Sequence, residues 1–291
     1  MLDRKISHEQ LMISIVEIAK KAGLAITEIY NSDFDYQLKQ DASPITEADN
    51  LSHKIITEKL KILTPETPIL SEENCDISYK IRSEWKRYWL VDPMDGTKEF
   101  IKRNGEFTVN IALIDQNIPK LGVIHIPVTN ETYWGSEVSG SFYQDKHNEV
   151  KRICVSEKHK NPIRIVASRS HPSKILNELL KTINDYEIIE VGSSIKFCHI
   201  ASGKADCYPR FGPTSEWDTA AGEAIVRSAG GHVVTSSGNS MNYNQKETYL
   251  NPNFIVSNDR ITSERILSSI NTHKHSSRER KDEDAIIRIL R

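Results

Sequence analysis

One nine-residue segment constrains this chain more than any other, because an apolar run there ends abruptly in acidic residues. Residues 89–97 read Trp-Leu-Val-Asp-Pro-Met-Asp-Gly-Thr. The apolar half predicts a buried strand, and Pro93 stiffens the turn after it. Gly96 permits an unusual backbone angle or a close ligand, and Thr97 would open a helix whose free N–H groups favour an anion. The segment suits a metal-bridged phosphate, although an acidic turn with Thr97 as N-cap also fits.

Two further acidic positions occur in similar settings. Glu72 and Glu73 end an earlier apolar run, and Asp218 stands at the start of a predicted helix. Taken singly, Glu72 fits a solvated acidic turn and Asp218 fits a helix N-cap. Two like charges ~4 Å apart repel by about 4 kcal/mol at an effective dielectric of about 20, so four carboxylates in one cleft need cations or protons. Ligand sets made only of oxygen favour Mg²⁺ over Zn²⁺.

Hydrophobic spacing in the first half predicts two helices followed by strands. The first helix is amphipathic and is expected to end near Gly23. The second follows Pro44, with Thr46 as N-cap and Asp49 as its capping-box partner. Apolar runs then predict strands at residues 68–70, 88–91, 108–114 and 121–126, with more strand between 133 and 143. The third and fourth strands flank turn residues and predict a hairpin.

From about residue 150 the pattern changes to alternating strands and helices, which predicts a second lobe at 151–270 after a first at 1–150. Its strands are expected at residues 163–167, 187–191, 206–209, 232–235 and 254–257, and its helices at 172–183, 195–201, 219–229 and 261–270. Residues 271–291 carry charges of both signs and predict a mobile tail. Its apolar end could instead dock on a membrane surface.

Composition excludes several classes of protein. The 38 Lys and Arg residues against 40 Asp and Glu residues give a net charge of −2, so no general basic field indicates a nucleic-acid polymer as partner. The 4 cysteines form no C-x-x-C pair, which argues against zinc and disulfides and for a reducing cytoplasm. Cys198 and Cys207 are expected to be buried thiols rather than nucleophiles. The apolar stretch at 11–19 contains Glu17 and is too short to span a membrane.

Three ordered motifs, at residues 71–73, 92–97 and 217–220, resemble the inositol monophosphatase superfamily of Mg²⁺-dependent, lithium-sensitive phosphatases. Segments 43–49, 97–108 and 192–198 resemble its bisphosphate nucleotidase branch. The similarity runs from about Leu11 to Ser257. It implies an α/β fold, a layered α-β-α-β-α sandwich of the inositol monophosphatase and fructose bisphosphatase type, with a metal cleft between the two lobes.

The resemblance also implies roles for individual residues. Two or three Mg²⁺ ions would be held by Glu72, Asp92, Asp95, Asp218 and the backbone carbonyl of Met94. The water-activating residues would be Thr97 and Asp49, with Glu73 as an auxiliary base. Substrate would contact Glu72, Asp95, Gly96, Thr97, His171, Ser193, Lys196, Arg210 and Asp218.

Plainer interpretations of these residue types remain open at this point. Without the resemblance, His171 fits a loop residue, Ser193 a helix cap, and Lys196 or Arg210 a solvated charge. An aromatic such as Phe197 or Tyr208 could stack on a base or belong to the core.

The activity implied by the resemblance is hydrolysis of the 3′-phosphate of adenosine 3′,5′-bisphosphate (PAP) by activated water, without a phosphoenzyme. 3′-Phosphoadenylyl sulfate (PAPS) would be a second substrate, and the role would be to clear a by-product of sulfate assimilation. Action on inositol phosphates or fructose bisphosphate is one alternative. A non-catalytic sensor that binds nucleotide and metal is another. The choice between monomer and homodimer, and peripheral association with the inner membrane, stay open.

Overall fold

A computed structural model describes residues 6–39, 44–157, 161–170 and 173–270. The predictions made for His171 and for the tail at 271–291 lie outside the described residues.

The helices and strands alternate much as the hydrophobic pattern predicts. The helices are α1 (His8–Tyr30), α2 (Glu47–Leu63), α3 (Tyr79–Arg82), α4 (Thr97–Ile101), α5 (Lys174–Leu180), α6 (Ile195–Ala201), α7 (Glu216–Ser228) and α8, which covers residues 260–270. The strands are β1 (Tyr36–Leu38), β2 (Pro44–Thr46), β3 (Ile69–Ser71), β4 (Arg87–Asp95), β5 (Thr108–Asp115), β6 (Ile118–Ile126), β7 (Glu131–Ser136), β8 (Gly140–Gln144), β9 (Val150–Ile153), β10 (Ile163–Ser168), β11 (Tyr186–Val191), β12 (Cys207–Arg210), β13 (His232–Thr235) and β14 (Phe254–Ser257). Among the described helices, none is long and apolar enough to cross a membrane.

The strands form two large sheets and one short hairpin. The first sheet has seven strands in the order β3-β4-β5-β6-β7-β8-β9, with β3 and β4 parallel and the others antiparallel. The predicted hairpin is β5–β6. The second sheet has five strands in the order β11-β10-β12-β14-β13, and β1 pairs with β2.

Alternating side chains along the strands divide the molecule into layers. Trp89 and Val91 of β4 pack with α1 and α2, whereas Leu90 faces the cluster that contains α6 and α7. That same cluster includes Val166 of β10, so α6 and α7 lie between the two sheets. The outer face of the second sheet packs against α5 and α8. The predicted α-β-α-β-α layering is therefore confirmed.

The division into lobes at residue 150 stays a prediction. The last strand of the first sheet, β9, covers Val150–Ile153, and the layer of α6 and α7 packs against both sheets.

The predicted end of the first helix near Gly23 is wrong, because α1 continues to Tyr30. A Cβ atom on Gly23 would lie 2.3 Å from Cδ2 of His125 in β6. The glycine therefore allows close approach of helix and sheet, and it is not a helix terminator.

We expect Gly23→Ala to destabilise the protein by about 1–2 kcal/mol, although alanine favours a helix by about 1 kcal/mol over glycine. His125 cannot easily yield to the new methyl group, since it is 2% exposed and its Nδ1 lies 2.9 Å from Oγ1 of Thr132. Urea unfolding would measure the change. Leu24→Ala is a matched control on the same helix, because Leu24 is 63% exposed. Stabilisation by Gly23→Ala would contradict the packing explanation.

Candidate active site

A cavity of about 300 Å³ lies between the two sheets, where β4 ends and α4, α6 and α7 begin. It gathers residues that are far apart in the sequence. The predicted residues that line it are Glu72, Asp92, Met94, Asp95, Gly96, Thr97, Ser193, Lys196, Arg210 and Asp218.

Three carboxylates form the centre of this site. Glu72 follows β3, Asp92 lies near the end of β4, and Asp218 lies in the first turn of α7. One carboxylate oxygen of each lies within 4.8 Å of those of the other two. Burial, and then repulsion from neighbouring carboxylates, raises the pKa of Asp92 and of Asp218 well above the usual range. Such a cluster stabilises bound cations.

The first turn of α7 explains the position of Asp218. The structure has Ser215 as the N-cap and Asp218 as its partner three residues on, so the N-cap interpretation of Asp218 is wrong. Oδ2 of Asp218 accepts a hydrogen bond of 2.9 Å from the Ser215 N–H. The capping box thus orients one oxygen of Asp218 inside the helix turn.

A bulge in β4 places Asp92 and Asp95 on the cavity. The register against β5 shifts between these two residues, which face Asn110 and Thr108 respectively. The Met94 N–H donates to Oδ1 of Asp92 at 3.1 Å, and Ser52 of α2 donates to the Pro93 carbonyl at 2.7 Å.

Asp95 is not one of the three clustered carboxylates, although it lines the same cavity. It accepts hydrogen bonds from the Ser193 hydroxyl and from the Ser194 N–H. Burial nevertheless raises the pKa of Asp95 above its ordinary value. Asp95 therefore connects the carboxylate cluster to the start of α6.

Gly96 has the unusual backbone angle that the motif permits, and Thr97 begins a helix but is not its N-cap. Gly96 has φ of 98°, and a Cβ there would lie 3.1 Å from the Glu106 carbonyl oxygen. Thr97 opens α4, but the N-cap residue is Gly96. The Thr97 hydroxyl instead donates to Oδ1 of Asp49 at 3.2 Å.

Asp49 has both of the roles that the sequence suggested: it is the capping-box partner of Thr46, and it accepts a hydrogen bond from Thr97. Its Oδ2 accepts hydrogen bonds of 2.7 Å from the N–H and the hydroxyl of Thr46, which completes the predicted capping box of α2. Its Oδ1 remains for Thr97. Burial raises the pKa of Asp49, and the hydrogen bonds from Thr46 oppose that rise. The carboxylate is thus held rigidly and is a better proton acceptor than an exposed aspartate.

Lys39 is a residue of this site that the sequence interpretation missed. It follows β1, and its Nζ lies 2.9 Å from Oε1 of Glu72 and 2.8 Å from Oε1 of Glu73. Burial alone would lower the pKa of Lys39, but the charges and hydrogen bonds of these glutamates raise it above its usual range. The ammonium group shows that this edge of the cluster accepts a cation. A lysine beside a three-residue strand carries no sequence signal of its own.

Two cationic side chains line the side of the cavity formed by the second sheet. Lys196 is 6% exposed, which rules out the solvated-charge interpretation, and its Nζ donates to the Ser193 carbonyl. Burial lowers the pKa of Lys196 to about 8, although Asp95 partly opposes this. Arg210 donates to the Pro213 carbonyl at 3.0 Å. Both can receive an anion.

The other predictions for this region have clear outcomes. The helix-cap interpretation of Ser193 is wrong, because the N-cap of α6 is Ser194. Ser193 precedes it with φ of 51°, and its hydroxyl lies 2.7 Å from Oγ1 of Thr108. Phe197 and Tyr208 pack edge to face at 5.6 Å and are buried core residues that also line the cavity. Cys198 and Cys207 are free, buried thiols whose pKa values are raised by burial.

Comparison with known proteins gives consistent matches. The model of the inositol monophosphatase family matches residues 7–275. The 3′(2′),5′-bisphosphate nucleotidase CysQ of Salmonella typhimurium is 46% identical over 248 residues, which are 84% of this chain and 99% of the relative. The enzyme of the same name from Escherichia coli K12 is 45% identical over 249 residues, 85% of this chain and 99% of the relative.

A solved structure agrees with these sequence matches. The crystal structure of CysQ from Bacteroides thetaiotaomicron, described as a bacterial member of the inositol monophosphatase family, superimposes with a TM-score of 0.77. It is 39% identical, and the match covers 88% of this chain and all of the other.

Proposed function

The chain belongs to the inositol monophosphatase family, and from this premise we propose that it hydrolyses the 3′-phosphate of PAP to give AMP and phosphate. One observation carries the proposal. Three carboxylates within 4.8 Å of one another share a cavity with Lys196 and Arg210. With bound cations the carboxylate cluster would hold the phosphate that is cleaved, and the cationic side chains suit a second phosphate on the same substrate. PAPS, with a sulfated 5′-phosphate, fits the same arrangement as a second substrate.

We propose Mg²⁺ as the metal, because the carboxylates of the cluster offer only oxygen atoms as ligands. The ion pairs of the Lys39 ammonium with Glu72 and Glu73 show that a positive charge is favourable at this place. The residues that would hold two or three ions are Glu72, Asp92, Asp95, Asp218 and the Met94 carbonyl. When bound, such ions lower the pKa of a water molecule and neutralise charge on the phosphoryl and leaving oxygens.

The protein's own groups orient and deprotonate the attacking water. The Thr97 hydroxyl donates to Asp49, so its lone pairs are left to accept a hydrogen bond from water. Asp49 then takes the proton through Thr97, helped by its raised pKa. Glu73 is an auxiliary base in this scheme. The N–H groups of Gly96 and Thr97 bind phosphoryl oxygens, and water attacks phosphorus in line.

Substrate preference separates this proposal from its closest alternatives. Initial rates with PAP, inositol 1-phosphate and fructose 1,6-bisphosphate should be compared at equal concentration, with and without EDTA. We expect PAP to be preferred and chelation to abolish the activity. Preference for inositol 1-phosphate would overturn the substrate assignment, and full activity after exhaustive chelation would overturn the metal mechanism.

Lys196→Met should lower kcat/KM for PAP by about 10- to 100-fold, since a charged hydrogen bond to the 5′-phosphate contributes about 1.5–3 kcal/mol. Adenosine 3′-monophosphate is the matched control substrate, because it lacks the 5′-phosphate and should lose much less. In the unchanged enzyme kcat/KM for PAP should fall above about pH 8, where Lys196 loses its proton. Equal losses on both substrates would show that Lys196 does not select the second phosphate.

A cytoplasmic location, the role in clearing a sulfate-assimilation by-product, and the absence of a nucleic-acid partner remain part of this proposal. Sedimentation of the purified chain would decide between monomer and homodimer. Flotation with anionic vesicles would test peripheral membrane association.

A further inference from the structure

A loop late in the chain contacts the two segments that carry the clustered carboxylates Glu72 and Asp218. We call residues 241–250 the clamp segment. Its Tyr249 carbonyl accepts a hydrogen bond of 2.9 Å from the Glu216 N–H, two residues before Asp218. The Tyr249 ring also packs against Trp217, with ring centroids 5.1 Å apart. The clamp segment therefore holds the start of α7, where Asp218 is located.

The same tyrosine holds the segment that follows Glu72. The Tyr249 hydroxyl donates to the Cys75 carbonyl at 2.6 Å and lies 3.3 Å from the Ile77 carbonyl. Cys75 is three residues after Glu72. The Tyr249 side chain thus contacts both the loop after β3 and the first turn of α7, two segments that are far apart in the sequence.

A buried arginine fixes this tyrosine in place. Arg82 is 1% exposed, and its guanidinium carbon lies 4.3 Å from the centre of the Tyr249 ring. It donates to the side-chain oxygen of Asn244 and to the Lys246 carbonyl, the latter at 3.0 Å. The Asn244 side chain donates back to the Arg82 carbonyl, and the Asn244 N–H donates to Glu216 at 2.9 Å. Each member of the network therefore has its position set by at least two partners.

We propose that Tyr249 is a positioning residue for the metal site, and that it sets the distance between Glu72 and Asp218. The inference rests on the proposed metal-binding role of these carboxylates. One carboxylate oxygen of Glu72 and one of Asp218 lie within 4.8 Å of each other, so their charges repel and, without bound cations, favour separation of the two segments. The hydrogen bond from Tyr249 to Cys75 opposes that separation and preorganises the cluster. Outer groups of this kind commonly change metal affinity by about 10- to 100-fold.

The test uses Tyr249→Phe, which removes the hydroxyl and keeps the ring against Arg82 and Trp217. Binding of Mn²⁺ to the full-length chain is measured by electron paramagnetic resonance without substrate. We expect the dissociation constant to rise by about tenfold or more. The Mg²⁺ concentration that gives half-maximal hydrolysis of PAP should rise with it, by a larger factor than kcat at saturating Mg²⁺ falls.

Tyr143→Phe is the matched control, because the Tyr143 hydroxyl donates to Glu131 in the first sheet, away from the cavity. It should leave Mn²⁺ affinity unchanged. Unchanged Mn²⁺ affinity in Tyr249→Phe, or an equal loss in both variants, would overturn the inference while leaving the proposed function intact. If the unchanged protein bound no Mn²⁺, the proposed metal site would itself be wrong.

Discussion

Asp49→Asn is expected to lower kcat for PAP by about 10³-fold, the middle of the range for loss of a general base. The Thr46 N–H needs an acceptor, so the asparagine oxygen takes the Oδ2 position and its NH₂ group faces Thr97. The Thr97 hydroxyl must then accept a hydrogen bond, and no carboxylate remains to take the proton from water. Affinity for AMP in the presence of Mg²⁺ should change little. Steady-state kinetics and calorimetry measure the two effects.

Thr46→Val is the control that separates the two roles of Asp49. It removes the hydroxyl that donates to Oδ2 of Asp49 and that accepts from the Ala48 N–H, while the contact with Thr97 remains. A lost cap should cost about 1 kcal/mol of stability. Turnover should fall far less than in Asp49→Asn. Normal turnover in Asp49→Asn would remove Asp49 from the mechanism.

Asp92→Asn should have opposite effects on the chelated and the Mg²⁺-loaded protein. Asp92 is 1% exposed, and burial together with Glu72, Asp95 and Asp218 raises its pKa. Asparagine keeps an oxygen for the Met94 N–H but removes one of the repelling charges. In EDTA at pH 8, we expect stabilisation by at least about 1 kcal/mol, which raises the Tm of a chain of this size by about 2 °C.

Mg²⁺ should raise the Tm of the unchanged protein, because a ligand that binds only the folded state stabilises it. The Asp92→Asn variant should lose this response and the activity with it. Asp115→Asn is a matched control: Asp115 lies on the neighbouring strand β5, where it pairs with Arg87. That control should keep both the Mg²⁺ response and the activity. An undiminished Mg²⁺ response in Asp92→Asn would show that Asp92 is not a ligand, and a lower Tm in EDTA would refute the repulsion argument.

Short-range patterns in the chain were sufficient for most of the helices and strands and for the motifs of the site, although they missed the short elements β1, β2, β9 and α3. The capping box of Thr46 and Asp49 spans three residues, so its geometry is local and was predicted correctly. The continuous apolar run at residues 89–91 likewise predicted a buried strand, and β4 packs against a core cluster on each of its faces. The motif of residues 92–97 allowed an unusual backbone angle at Gly96, where φ is 98°, and predicted the start of α4 at Thr97. Each of these depends on neighbours within about one turn or one strand.

Other features depend on contacts between segments that are distant in the sequence, and such contacts cannot be predicted from a local sequence pattern. Gly23 resembles a helix end in the sequence, but its lack of a side chain serves the contact with His125. Lys39 gains its role from Glu72 and Glu73, and Tyr249 gains its role from Cys75 and Glu216. Close packing and charge compensation act between residues that are neighbours in space. The roles of Gly23, Lys39 and Tyr249 were therefore decided by the tertiary structure, whereas the sequence motifs had already indicated the carboxylates of the cluster.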